Sequence, residues 1–92
     1  MTKLEQKLIE LKYEPLGYYY SKNISYETYK FTLVIAINAD EQSIRNHYLY
    51  INDRLWSISS KADLKSFEYE LHQAFYQLQK DLEVLKEYEE NN

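Results

Sequence analysis

Residues 29–37, Tyr-Lys-Phe-Thr-Leu-Val-Ile-Ala-Ile, place a large apolar side chain at every odd position. Successive side chains of a strand point to opposite faces, so Tyr29, Phe31, Leu33, Ile35 and Ile37 share one face. Lys30, Thr32, Val34 and Ala36 share the other, which is far less apolar. The segment is therefore a long strand with one face turned to a core, and the rest of the chain must supply the layer that covers it. Tyr29 is read as a ring at the edge of that core.

Two amphipathic segments fit the covering layer. At the amino end Thr2 and Glu5 have the spacing of a capping box. Leu4, Leu8 and Leu11 recur at helical spacing, with Ile9 widening the stripe. This predicts a helix over residues 4–13, stopped by Pro15, with Leu16-Gly17 as the exit. Near the other end, Ser60 and Asp63 read as a helix start, and nothing breaks a helix from there to about residue 90. Leu64, Phe67, Leu71, Phe75, Leu78, Leu82 and Leu85 form its stripe, with coiled-coil spacing from Leu71 onward.

The middle supplies the remaining strands. "GYYYS" reads as a short strand and "KNIS" as a turn, so Asn23-Ile24-Ser25 is turn chemistry and not a glycosylation site. Residues 38–46 are a polar connection with room for one helical turn at Asp40. "HYLYI" and "RLWSIS" flank Asn52-Asp53, a hairpin signal. Alternation turns Leu49 and Ile51 inward and Tyr48 and Tyr50 outward, and on the last strand Trp56 and Ile58 inward. The order is α-β-β-β-β-α. The chain is a single domain, 1–92, of the α+β class: two layers, an antiparallel sheet of three to four strands, and both helices on one face.

That architecture leaves one face of the sheet open. It holds Lys30, Thr32, Val34, Tyr48 and Tyr50, together with either Tyr19 or the pair Tyr18 and Tyr20. A one-residue slip exchanges those two sets, and the pair Tyr18 and Tyr20 is assigned here. Tyrosine offers contact area and a hydroxyl at little entropic cost, so such a face suits a protein partner. The candidate partner-binding residues are Tyr18, Tyr20, Lys30, Tyr48 and Tyr50. Stacking of nucleotides or single-stranded nucleic acid on the same tyrosines is the alternative.

Charge narrows the choice. The formal net charge is −4, and the last third, residues 61–92, holds four lysines against eight acids. No cationic surplus is present to release counterions from phosphates, which argues against duplex nucleic acid. The acidic helix could instead meet a basic partner. Chemical signatures are lacking. There is no cysteine, one glycine and only two histidines, His47 and His72. Zinc needs three or four ligands at recognisable spacing, and a phosphate loop needs more glycine. No metal, cofactor or enzymatic activity is expected. No apolar run approaches the roughly 20 residues of a membrane span, and the charged amino end is no secretory signal.

The segments "MTKLEQKLIEL", "YEPLGYYYSK" and "AFYQLQKDLEVLKE" resemble small accessory proteins encoded by phages and prophages of staphylococci. The likeness covers the two ends of the chain and is looser in the middle. It implies a bacterial cytoplasm and an accessory role, exerted by binding a host, defence or mobile-element protein.

A last expectation concerns the long helix. Thirty helical residues span about 45 Å, more than the roughly 32 Å width of a domain this size. The overhanging Leu78, Leu82 and Leu85 would then form the seam of a homodimer. The competing arrangement packs the first helix against them within one chain.

Overall fold

The computed structural model of the protein describes residues 1–26, 29–56 and 68–89. Helix α1 is Lys3–Glu10, followed by strands β1 (Glu14–Leu16), β2 (Tyr19–Ser25), β3 (Lys30–Ile37), β4 (Ile44–Ile51) and β5 (Arg54–Trp56), and helix α2 (Glu68–Lys86). The strands form one sheet in the order β1-β2-β3-β4-β5, each antiparallel to its neighbour. The α+β class, the antiparallel sheet and the shared helix face are as expected. One three-residue strand, β1, is added at an edge.

Local chemistry explains each boundary. Thr2 caps α1 with the reciprocal bonds of a capping box: its hydroxyl accepts from the Glu5 N–H, and Glu5 accepts from the Thr2 N–H at 2.9 Å. The helix ends at Glu10, with Leu11 as its C-cap, earlier than Pro15. Lys12 is left-handed at φ 75, and the Tyr13 N–H reaches back to the Leu8 carbonyl while the Lys12 N–H reaches Ile9. That is a Schellman ending with lysine where glycine is usual. Lys12→Gly should therefore raise stability by about 0.5–1 kcal/mol, the left-handed strain of a Cβ less the entropy cost of glycine. Denaturant unfolding would show it as a higher midpoint at unchanged slope.

Pro15 sits in β1 opposite Tyr20, on an edge strand where its missing N–H is not needed. Gly17, at φ 63, begins the two-residue loop into β2. At the β4–β5 hairpin Asn52 and Asp53 have φ of 49 and 69, the two positive values of a type I′ turn. β2 continues through "KNIS", which is strand and not turn. β4 starts at Ile44, three residues before "HYLYI". Asp40 begins no helix, and its carboxylate accepts the Gln42 N–H instead.

The core lies between the sheet and the helices. Phe31, Leu33, Ile35, Ile37, Leu49 and Ile51 meet Leu4 and Leu8 of α1 and Leu71, Ala74, Leu78 and Leu85 of α2. Tyr29 is half-buried at its margin, with its ring 6.2 Å from that of Phe31. This overturns the dimer seam. Leu78 and Leu85 are fully buried within one chain, and Leu82 packs partly buried against the same cluster. The helix end does not overhang: Glu89 just beyond it accepts the Ile44 N–H at the start of β4, and Lys7 of α1 lies over the Tyr88 ring. Ile58, Leu64, Phe67 and the expected helix start at Ser60 and Asp63 lie outside the described residues. Trp56 stands opposite Leu49 in the ladder.

Candidate functional site

The register of β2 decides what the open face carries. Tyr20 pairs with Ile35, Lys22 with Leu33 and Ile24 with Phe31. Those three residues thus share the helix face, and Tyr19, Ser21, Asn23 and Ser25 share the other. Tyr20, assigned above to the open face, is instead only 3% exposed. Its hydroxyl donates to Glu5 Oε2 of α1 at 2.9 Å. Tyr18 is exposed but belongs to the turn ahead of β2 and not to the strand. The tyrosine on the open face of β2 is Tyr19. Had Ile24 been read as strand, its apolar side chain would have indicated this register.

The other assigned residues are on the open face. Tyr48 and Tyr50 are half-buried there, opposite Val34 and Thr32 of β3, while Leu49 and Ile51 between and beyond them are buried. Lys30 is exposed, and its ammonium lies 3.2 Å from Asp53 in the hairpin tip. Thr32 donates across to Asn23 Oδ1 at 2.8 Å. A shallow groove of about 440 Å³ crosses this face, with Leu16, Tyr19, Val34 and Tyr50 as its apolar walls and Ser21, Thr32 and Asp53 as its polar points. Leu16 is 78% exposed. Arg45 lies 5.7 Å from the Tyr19 ring centre and donates to its hydroxyl at 3.2 Å. Leu16 and Arg45 were missed in the sequence, because β1 and the start of β4 were, whereas Tyr19 is the residue that the other register of β2 offered.

On the helix side a buried polar network takes the place of further apolar contacts. Asp81 is 3% exposed and sits on the same stripe of α2 as Leu78 and Leu85. Its Oδ2 accepts from the Lys22 ammonium and from the Tyr13 hydroxyl at 2.8 Å, and its Oδ1 accepts from Gln77 at 3.0 Å. Lys22 also donates to the Leu11 carbonyl at 3.1 Å and lies 4.6 Å from the Tyr13 ring centre. Every strong donor in the cluster has an acceptor, as a buried charge requires. The network ties the end of α1 and strand β2 to α2, which is a structural task. Asp81, three residues after Leu78 on an apolar stripe, was its visible sign in the sequence.

The two tyrosines of this side that donate to carboxylates respond to alkali. Burial pushes the Tyr13 hydroxyl well up, with the Asp81 charge adding to it. Burial, and then the bond to Glu5, push Tyr20 up to about 12. Both pKa values are raised in the folded state, so their contribution to stability is complete below the ordinary tyrosine value near 10 and is lost as pH rises through the raised values. Stability should fall between pH 10 and 12, and the fall should be shallower in Tyr20→Phe. Denaturant midpoints across that range check it, and an identical slope in the variant would contradict it.

His47, on the helix face of β4, and exposed His72 of α2 lie in different layers. Among the described residues no three His, Cys, Asp or Glu side chains are grouped to hold a metal ion, and no helix is long and apolar enough to cross a membrane. Compared with known proteins, the chain matches no family model, no curated protein and no solved structure.

Proposed function

We propose that the protein is a non-enzymatic binding module, a phage-type accessory protein of the bacterial cytoplasm that inhibits or modulates one host, defence or mobile-element protein. The observation that carries this reading is the asymmetry of the sheet. One face is filled by both helices. The other keeps Leu16, Tyr19, Val34, Tyr48 and Tyr50 uncovered by either helix, around a groove with few charges. Tyrosine and aliphatic surface with polar points at the rim is the composition of a protein-binding patch. The binding unit is one chain, since the leucines that would have paired two chains are used in its own core. The exposed acids Glu83 of α2 and Glu87 just beyond it lie on the far side of the sheet from this patch and serve solubility.

The contact of Arg45 with Tyr19 favours a second reading, in which a base stacks on the tyrosines beside a cation. Against it, Asp53 occupies the Lys30 ammonium, and the protein is acidic overall. Titration with single-stranded oligonucleotides and cyclic nucleotides, followed by tyrosine fluorescence at two salt concentrations, separates the two. The protein-binding reading expects no saturable change. Saturable quenching that weakens with salt would favour the nucleotide reading.

A further inference from the structure

A second surface, at the edge of β2, is built for a different kind of contact. β1 pairs with β2 only as far as Ser21. Beyond it, residues 22–25 have a partner on the β3 side alone. The Tyr26 N–H bonds the Tyr29 carbonyl and the Ile37 N–H bonds the Tyr18 carbonyl. Hydrogen-bonded pairs alternate along an antiparallel ladder, so the even residues of β2 are bonded to β3. The N–H and C=O groups of Asn23 and Ser25 therefore point outward, and among the described residues no strand meets them. Asn23 and Ser25 are exposed to water, and backbone groups at this spacing are a template for pairing with another strand.

The edge is also the rim of a groove of about 440 Å³ between β2 and α2. Ile24 and Tyr26 form its floor, Tyr76 and Gln73 of α2 its wall, and Leu11 and Lys12 close one end. Its two ends differ in charge. Lys12 is exposed at one end, while the neighbouring Lys22 is already taken by Asp81. At the other end, near Tyr26, lies Glu70, whose charge contributes to raising the Tyr26 pKa after burial. Glu70 Oε2 is buried without a hydrogen-bond partner among the described residues.

We propose that this edge binds an extended peptide antiparallel to β2, with the pattern cation-x-apolar-x-acid read from its amino end. The residues opposite Ser25 and Asn23 make the ladder bonds. Between them an apolar side chain opposite Ile24 enters the groove beside Tyr76. The cation, opposite Tyr26, reaches Glu70, and the acid, opposite Lys22, reaches Lys12. The polarity follows from the charges: a parallel peptide of the same sequence would set cation against Lys12 and acid against Glu70. This surface is separate from the tyrosine face, and either could bind without the other.

The test uses the synthetic peptide Thr-Lys-Thr-Leu-Thr-Asp-Thr and the full chain, with amide exchange read residue by residue by NMR. The peptide is expected to slow exchange at Asn23 and Ser25. Affinity should fall more than tenfold when the two threonines beside the leucine are N-methylated, and likewise when the lysine and aspartate are exchanged. Ser25→Pro, which removes an outward donor without touching the β3 ladder, should lose binding, whereas Tyr50→Ala should keep it. Unchanged exchange at Asn23 and Ser25 at millimolar peptide, or equal affinity for the N-methylated peptide, would overturn the proposal. The N-methylated peptide decides the question even if Ser25→Pro does not fold.

Discussion

Asp81→Ala is expected to destabilise the protein by about 3 kcal/mol, the lower end of the cost of breaking a buried ion pair. The variant leaves the Lys22 ammonium and the Tyr13 hydroxyl without their shared acceptor, deep between β2 and α2. The lower end applies because Lys22 retains 15% exposure of its side chain and can turn toward the groove and water. The sign of a companion experiment distinguishes the cause. In Lys22→Met with Asp81→Leu, no charge is left stranded, and most of the loss should return. Tyr13→Phe added to that pair should then cost nothing further. Urea unfolding of the four proteins measures all of this. A single Asp81→Ala variant within about 0.5 kcal/mol of wild type, the ordinary range for surface sites, would mean that the network does not hold the layers together.

A contrast on one strand is the second large effect. Leu49→Ala should cost about 2–4 kcal/mol, because a fully buried leucine leaves a cavity that its neighbours fill only in part. Tyr50→Ala, one residue along, should cost about 1 kcal/mol, since it removes cross-strand contact with Thr32 of β3 and no core packing. Thermal and urea unfolding would read the difference directly. Equal, large losses in both variants would place Tyr50 in a packed interior and remove the open face from the account.

Much of this architecture was legible from periodicity alone. The alternation of β3 and the helical stripes of Leu4, Leu8, Leu71 and Leu78 each describe a one-sided element, and one-sided elements have few ways to pack. Asn52-Asp53 gave the hairpin because both residues tolerate positive φ. The errors came where a local signal competed with a longer-range one. "KNIS" has the composition of a turn, yet Ile24 pairs with Phe31 across a strand, and that pairing reverses which β2 tyrosines face solvent. Lys12 ends α1 in a conformation that sequence rules reserve for glycine. Leu78, Leu82 and Leu85 have coiled-coil spacing, but spacing is silent on whether α1 or a second chain covers them. Lys22 on an inward face contradicts simple patterning until Asp81, 59 positions later, is placed beside it.

The central claim is that the open tyrosine face engages a protein. Affinity capture of the tagged chain from phage-infected staphylococcal cells tests it most directly, with wild type compared against Tyr48→Ser/Tyr50→Ser and Glu83→Gln/Glu87→Gln, each first shown to be folded. One protein should be retained in near-equal amount by wild type and by the glutamine variant, and its recovery should fall more than tenfold in the serine variant. Equal recovery with the serine variant, or no protein retained by wild type, would contradict the claim.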